Sequence, residues 1–435
     1  MSESSRPIGV AVLGMGNVGT EVVRILTDKA ADLQARVGAP LELRGVAVRD
    51  TTRTRDGVDP ALLTDDPMAL VQRDDVDLVV ELIGGIKPAR KLILTALEGG
   101  KSVVTANKAL MAEHAGELSK AAEDRRVDLY FEASVAGAIP VIRPLTQSLA
   151  GDSVTRVAGI VNGTTNFILS EMGESGAGYG KVLAEAGRLG YAEADPTADV
   201  EGYDAASKAA ILASIAFHSR VTASEVHREG ITGISAKDFD AAKKFDCTIK
   251  LLAICERIDV DGEQKISARV YPALVPLDHP LATVNGAFNA VAVEAENAGR
   301  LMFYGQGAGG APTASAVLGD LVMAARNRVF DGRGPLESTY AGLPVASIDE
   351  VPTRYYVSMK VADVAGVLHQ VSGEFAQRGI SIAAVRQEGA GDDARLIVVT
   401  HRASDRAQSD TVAALEKMDS VLKVSSVLRL EGTDD

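Results

Sequence analysis

Apolar residues 8–13 run unbroken into a cluster of glycines, the pattern of a buried strand that ends in a turn. Residues 20–33 then repeat apolar positions at helical spacing, and 41–48 alternate as a second strand. Further strands are expected at 76–82, 102–105 and 128–131, with helices at 88–98 and 111–123 between them. Strand and helix in alternation imply parallel pairing and an α/β, doubly wound sheet, in which a ligand lies off the C-terminal strand ends.

The texture changes near residue 145. Strands at 154–161, 266–273 and 291–296 and helices at 203–217 and 236–256 are grouped rather than alternating, which predicts a mixed α+β domain over 145–310. A helix at 313–328 is placed to return to the first domain, so that 1–144 and 311–331 form one body. Residues 332–353 are rich in Gly, Pro and Ser without periodicity and read as a linker. Beyond it, strands at 355–361, 381–387, 396–400 and 422–430 and helices at 364–377 and 406–418 give the order βαββαβ, a ferredoxin-like module over 354–432.

Composition narrows the class of protein. A chain of 435 residues with 46% apolar content is expected to form two to three globular domains. The net charge of −14, with no Lys/Arg cluster, argues against a nucleic-acid partner. Residues 1–7 are polar and lack the apolar core of a signal peptide. The longest largely apolar run, 209–217, falls far short of the roughly 20 residues that span a bilayer, so no membrane association is expected. Cys247 and Cys255 fall in the stretch 236–256 expected to be one helix, where eight residues of separation is too far for a bridge. Buried free thiols fit a reducing compartment, and a cytoplasmic location is expected.

The glycines after the first strand carry a specific chemistry. Gly14-Met15-Gly16-Asn17-Val18-Gly19 matches G-x-G-x-x-G between a strand and a helix, the context of a Rossmann-type dinucleotide site. Gly14 permits the tight turn, Gly16 lets the backbone approach a pyrophosphate, and Gly19 lets helix and strand pack closely. Asn17 and Val18 open the helix whose free N–H groups face the phosphates. The second strand ends at Arg49-Asp50. Asp50 suits the ribose hydroxyls of NAD and Arg49 the 2′-phosphate of NADP, and the balance favours NADP(H) with NAD(H) as the alternative.

The densest polar cluster spans 190–208, a loop containing Pro196 and Gly202 followed by a helix from Tyr203. Asp204 and Lys208 stand four apart on one helical face, which by itself reads as a surface ion pair. Reduction of an aldehyde needs a proton source or cation for the developing alkoxide, and Lys208 can be either. A substrate bearing an ammonium group needs carboxylates, which Glu193 and Asp204 can supply.

This segment resembles the signature of the homoserine dehydrogenase family, Gly-Tyr-x-Glu-x-Asp-Pro followed by Gly-x-Asp-x-x-x-Lys. The resemblance implies catalytic roles for Lys208, Asp204 and Lys108, the last in Thr105-Ala106-Asn107-Lys108, which also resembles the family's cofactor-site lysine. It implies substrate binding by Glu193, Gly190 and Asp199, and likens Asn162-Gly163-Thr164 to the family's Asn-Gly-Thr motif. Glu132, Val135, Gly137 and Ile139 lie in a loop similar to one that binds a monovalent cation, sodium or potassium, largely through carbonyls. Gly305 opens a second glycine-rich loop that resembles one closing near the nicotinamide. The C-terminal module resembles an ACT domain, with Asp363, Gly366, Val367 and Leu368 at its ligand turn.

The resemblance covers nearly the whole chain. It implies interconversion of L-aspartate 4-semialdehyde and L-homoserine, in threonine, methionine and isoleucine biosynthesis. The monofunctional form is expected, since no aspartate-kinase segment is read before the first strand. Threonine is the expected effector and a homo-oligomer, dimer or tetramer, the expected assembly. Another amino-acid dehydrogenase is disfavoured by the 190–208 segment. A catalytically inactive amino-acid sensor would be expected to have lost Glu193, Asp204, Lys208 or Lys108, and all four are present.

Overall fold

The computed structural model describes residues 6–55 and 57–432, so most of the polar stretch 1–7 lies outside the described residues. In chain order the first elements are β1 (Ile8–Leu13), α1 (Asn17–Asp28), α2 (Ala30–Val37), β2 (Leu41–Ala47), β3 (Leu63–Thr64) and α3 (Pro67–Gln72). Then come β4 (Leu78–Glu81), α4 (Ala89–Glu98), β5 (Ser102–Thr105), α5 (Lys108–Arg125), β6 (Leu129–Tyr130) and β7 (Val154–Ile160). The sheet order β3-β2-β1-β4-β5-β6 is parallel where the register is resolved, as alternating strands and helices dictate. β1 is buried at every position because helices cover both faces of such a sheet. The helix expected at 20–33 is two helices, since Lys29 leaves helical geometry at φ −112°, ψ 19°.

The middle elements are α6 (Gly163–Ser175), α7 (Tyr179–Arg188), α8 (Thr197–Val200), α9 (Tyr203–Ala216), β8 (His227–Arg228) and α10 (Ala236–Lys243). They continue with β9 (Cys247–Val260), β10 (Glu263–Pro276), β11 (Phe288–Ala295), β12 (Gly299–Gln306) and α11 (Gly310–Phe330). Here the helix expected over 236–256 is corrected. It stops at Lys243, Asp246 turns the chain at φ 52°, and both cysteines lie on β9. A strand buried without alternation has the same unbroken apolar run as a buried helix, which is why periodicity did not separate them. Cys247 and Cys255 are buried and free. β12 escaped the sequence reading altogether.

The last elements are β13 (Pro352–Thr353), β14 (Tyr355–Val361), α12 (Val367–Gln377), β15 (Ile382–Glu388), β16 (Arg395–Thr400), β17 (Ala403–Ser404), α13 (Asp405–Leu415) and β18 (Val421–Leu430). Apart from the short β13 and β17 they follow the expected βαββαβ order, and β18-β14-β16-β15 is the antiparallel ferredoxin-like sheet. Val357, Met359, Val371, Phe375 and Leu396 form its core.

The chain divides into two compact units. One comprises Met1–Val157, Ser207–Glu225 and Phe288–Gly342, and contains the parallel sheet and α11. The other comprises Ala158–Ala206, Val226–Ala287 and Leu343–Asp435. In the second unit β9 and β10 pair antiparallel over their whole length, and β18 joins the edge of β10 in parallel. The ferredoxin-like sheet is therefore continuous with β10. No helix among the described residues is long and apolar enough to cross a membrane.

Candidate active site

In the first unit the two glycine-rich segments are shaped by close backbone approach. Gly14 sits at φ 99°, and a Cβ there would lie 2.8 Å from the Leu82 carbonyl oxygen. A Cβ on Gly19 would lie 2.2 Å from the Gly14 oxygen, so β1 and α1 pack as the motif requires. A Cβ added at Gly16 would meet nothing within 4 Å apart from its chain neighbours, which leaves room beside the α1 N-terminus for a pyrophosphate. The exposed Asn17 and half-buried Val18 begin α1. The second segment follows Gly305 at the end of β12. A Cβ on Gly307 would overlap Asn289 at 2.0 Å, and one on Gly310 would lie 3.1 Å from the Asn17 oxygen. The N-termini of α1 and α11 thus meet beside the same loop. These contacts fit a dinucleotide with its phosphates at Gly16.

Arg49 is exposed immediately beyond β2. Asp50 is engaged locally: its Oδ1 accepts from Thr52 Oγ1 at 2.6 Å and Thr52 N at 2.9 Å, and these bonds hold its carboxyl below its ordinary range. Arg55, which the sequence reading missed, donates from Nη1 to the Met15 carbonyl in the glycine loop at 3.1 Å.

A second unforeseen residue organises the strand ends. Glu81, fully buried at the end of β4, accepts from Ile83 N at 2.8 Å, Gly84 N at 2.9 Å and Thr105 Oγ1 at 2.6 Å. Thr105 in turn accepts from Asn107 N at 3.0 Å, and the Asn107 side chain caps α5 through Leu110 N. Lys108 is the first residue of α5 and is exposed. A terminal carboxylate in a hydrophobic strand reads as a strand stop, so no local signal marked Glu81.

Glu132 is buried, and its carboxylate accepts backbone N–H groups of Val141, Ile142 and Arg143 at 2.7–2.8 Å. Its role is to hold the loop it begins. Within that loop Ala136 and Gly137 both have positive φ, and a Cβ on Gly137 would lie 2.5 Å from the Gly307 oxygen. Among the described residues no backbone hydrogen bond ends on the carbonyls of Val135, Gly137 or Ile139. Asp320 of α11 accepts from Glu132 N and from Arg143 Nη2, and burial pushes its carboxyl up to about 7.

In the second unit the polar cluster closes around one amide. Asn162 Nδ2 donates to Asp199 Oδ1 at 2.7 Å and Asp204 Oδ2 at 2.9 Å, while its Oδ1 caps α6 by accepting from Thr165 N. Thr164 Oγ1 donates to the Tyr191 carbonyl at 2.6 Å, and the Phe167 and Tyr191 rings lie 4.7 Å apart, which fastens the loop of Gly190 to α6. Gly190 has φ 80°. Glu193 is exposed in that loop. α9 runs from the second unit into the first after Ala206, and Asp204 and Lys208, one turn apart on it, are only 5% and 8% exposed, so neither is the solvated surface group that spacing alone suggests. Buried ionisable groups on one helix face are costly unless something uses or satisfies them.

At the ferredoxin-like module, Gly366 stands at φ 92° and caps α12, a conformation that requires glycine. Asp363 Oδ2 accepts from Gly391 N at 2.8 Å, Val367 is buried and Leu368 is 46% exposed.

Known proteins resemble this chain along its whole length. The family model for the homoserine dehydrogenase NAD-binding domain matches residues 14–132, that for homoserine dehydrogenase matches 140–322, and that for the ACT domain matches 355–419. The chain is 68% identical to a homoserine dehydrogenase of Mycobacterium bovis over the whole of both chains. A homoserine dehydrogenase structure from Thiobacillus denitrificans is 38% identical, covers 98% of each chain and superposes with a TM-score of 0.92. A hyperthermophilic archaeal homoserine dehydrogenase in complex with NADPH is 27% identical with a TM-score of 0.63, covering 76% of this chain and all of that one.

Proposed function

The chain belongs to the homoserine dehydrogenase family, and on that premise we propose how its own residues divide the work of interconverting L-aspartate 4-semialdehyde and L-homoserine. It is an oxidoreductase with an NAD(P)-binding domain and a C-terminal ACT domain. The family-model spans 14–132, 140–322 and 355–419 favour a cofactor domain over 1–144, a substrate and dimerisation domain over 145–310 and an ACT domain over 354–432, while the reading that 311–331 returns to the cofactor domain rests on Val317 and Leu321 of α11 sharing a core with Val12 and Val22.

When bound, the nicotinamide supplies or takes up the hydride at the carbonyl carbon. Lys208 delivers the proton to the oxygen in the reducing direction and withdraws it in the oxidising one. Its ammonium also balances the alkoxide as charge develops. Asp204, one turn away, and Asp199 are held together by Asn162 and set the charge around it. Glu193 and Asp199 receive the substrate's ammonium group, and Gly190 shapes their loop. Lys108, at the start of α5, serves both cofactor and substrate. Gly14, Gly16, Asn17, Val18, Gly19 and Gly305 surround the cofactor. The observation that carries this assignment is the burial of Asp204 and Lys208 on one helix face with the Asp204 carboxylate hydrogen-bonded to Asn162. Lys208→Ala should reduce turnover by about 10²–10⁴-fold with nucleotide affinity intact. Turnover within a few-fold of the parent would remove Lys208 from the mechanism.

NADP(H) is the favoured cofactor. The exposed Arg49 and the half-buried Arg55 offer cations beside the second strand, while the Asp50 carboxylate is occupied by its own turn. A sodium or potassium ion is assigned to the carbonyls of Val135, Gly137 and Ile139, with Glu132 supporting the loop; oxygen donors of this kind suit a hard monovalent cation. Threonine is assigned to the turn of Asp363, Gly366, Val367 and Leu368 as a feedback inhibitor, and steady-state rates with and without millimolar threonine test this. A homo-oligomer is supported by β12, the last strand in its sheet order, where Met302 and Tyr304 are exposed and Tyr304 stacks on the exposed Phe288 at 5.2 Å. On this reading the enzyme serves threonine, methionine and isoleucine biosynthesis, and its buried free cysteines favour a cytoplasmic location.

A further inference from the structure

The second unit contains a chain of tight contacts between the ACT domain and the residues just before Asp204. Among the described residues β18 pairs with β10 at two positions, Ala273 with Arg429 and Leu274 with Leu430, and just beyond them Glu431 N donates to the Leu274 carbonyl at 2.9 Å while its carboxylate accepts from Tyr271 Oη at 2.6 Å. β18 and β14, by contrast, pair from Tyr355 to Val361. The junction is therefore the narrow place in this sheet, and Arg429 stands in it.

Arg429 is fixed to the ACT domain on one side. Its Nε and Nη2 donate to Asp405 Oδ1 and Oδ2 at 2.8 and 3.1 Å, a two-pronged bond to the first residue of α13. Asp405 Oδ1 also accepts from Thr353 Oγ1 at 2.9 Å. The remaining guanidinium nitrogen, Nη1, reaches Glu229 Oε1 at 2.8 Å. That same carboxylate oxygen lies 2.8 Å from His227 Nε2.

Glu229 has little freedom to move alone. Its N–H donates to the Val270 carbonyl of β10 at 2.8 Å. The next residue, Gly230, is pressed against the chain before α9: a Cβ there would lie 2.5 Å from the Val200 oxygen and 2.8 Å from Glu201 Cα. Ile231 N donates to the Val200 carbonyl at 2.8 Å, and Thr232 Oγ1 to Glu201 Oε1 at 3.1 Å. From the other side Arg228 donates to the Glu201 carbonyl, and its guanidinium lies 3.5 Å over the Tyr203 ring. Residues 228–232 thus grip the turn 200–203. Asp199 precedes that turn and Asp204 follows it, and the two share the Asn162 amide.

We infer that Glu229, held by Arg429, is a positioning residue that keeps Asp199 and Asp204 in register with Asn162, and is the point at which the ACT domain acts on the substrate end of the active site. A shift of the ACT sheet at this junction is passed from Arg429 to Glu229, and through Glu229 to the 200–203 turn. Packed segments of this kind shift as a piece rather than deform. The regulatory half of the inference rests on the reading of the ACT domain as a threonine sensor; the positioning half does not.

The test uses the full-length enzyme and Glu229→Gln, which removes the charge at a side chain that is already partly exposed. With thermal unfolding close to the parent, kcat/KM for homoserine should fall by about 2- to 30-fold, with KM for the nucleotide unchanged. Glu229→Asp should restore part of the loss. Combining Glu229→Gln with Arg429→Lys should cost less than the two single losses multiplied, because one ion pair is removed twice. The Glu229→Gln enzyme should also be inhibited by threonine less steeply than the parent. Parental kcat/KM together with parental threonine inhibition in Glu229→Gln would overturn the inference. A parent enzyme indifferent to threonine would overturn the regulatory reading instead, and the kcat/KM result would decide the positioning role alone.

Discussion

Asn162 and Asp204 are 42 residues apart in sequence and joined by a 2.9 Å hydrogen bond from Nδ2 to Oδ2. The same asparagine caps α6 and reaches Asp199. One side chain thus combines a structural task, holding a helix end, with the task of fixing two carboxylates in the candidate substrate site.

Substitutions at Asn162 should separate those tasks. Asn162→Ala should cost about 1 kcal/mol in stability through the lost cap and also lower turnover. Asn162→Ser retains a capping hydroxyl, so stability should recover while kcat/KM for homoserine stays depressed. Recovery of both, measured by thermal unfolding and steady-state kinetics, would show that Asn162 matters only as a cap.

Glu81 should govern cofactor affinity from beneath the surface. Glu81→Gln places an amide donor where one carboxylate oxygen now accepts, and a mispaired buried group costs about 1–3 kcal/mol. The loops at 83–85 and 105–108 depend on that carboxylate. Fluorescence titration should therefore find NADH and NADPH weakened together. Unchanged binding of both nucleotides would contradict this.

Arg49 should act on one nucleotide only. Arg49→Ala is expected to weaken NADPH and spare NADH, because the 2′-phosphate is the sole difference between them. Equal losses for both would show that Arg49 does not read the phosphate. Arg55→Ala, which removes a bond to the Met15 carbonyl, should affect both nucleotides through the loop itself.

Lys250 should give the fold a measurable pH dependence. It is 1% exposed on β9 and donates to the Val284 carbonyl at 2.6 Å, to Asn285 Oδ1 at 2.9 Å and to Asn166 Oδ1 at 3.3 Å. Burial pushes its ammonium down to about 8. Between about pH 8 and the ordinary lysine range the unfolded chain keeps a proton that the folded chain has released. Stability contributed by this group therefore rises with pH across that window, by at most about 1.4 kcal/mol per unit. Denaturant unfolding of the parent and Lys250→Met over that range should show the parent gaining relative to the variant. A constant difference would mean that Lys250 keeps its proton throughout.

The sequence by itself determined the features that local spacing encodes. G-x-G-x-x-G after β1, the Gly-Tyr-x-Glu segment running to Lys208, and the βαββαβ order of the last domain are each contained in a short stretch. Their physics, a positive φ at Gly14 or a four-residue helical step, is local. Tertiary structure decided the rest. Spacing could not show that Asp204 and Lys208 are buried, because burial depends on what covers the helix. It could not distinguish β9 from a helix, because a strand buried on both faces loses its alternation. Nor could it join Thr105 to Glu81 or Arg429 to Glu229, 24 and 200 residues apart. Such charges gain their partners only when distant strands are brought together, so the network that aims the chemistry is a property of the folded chain.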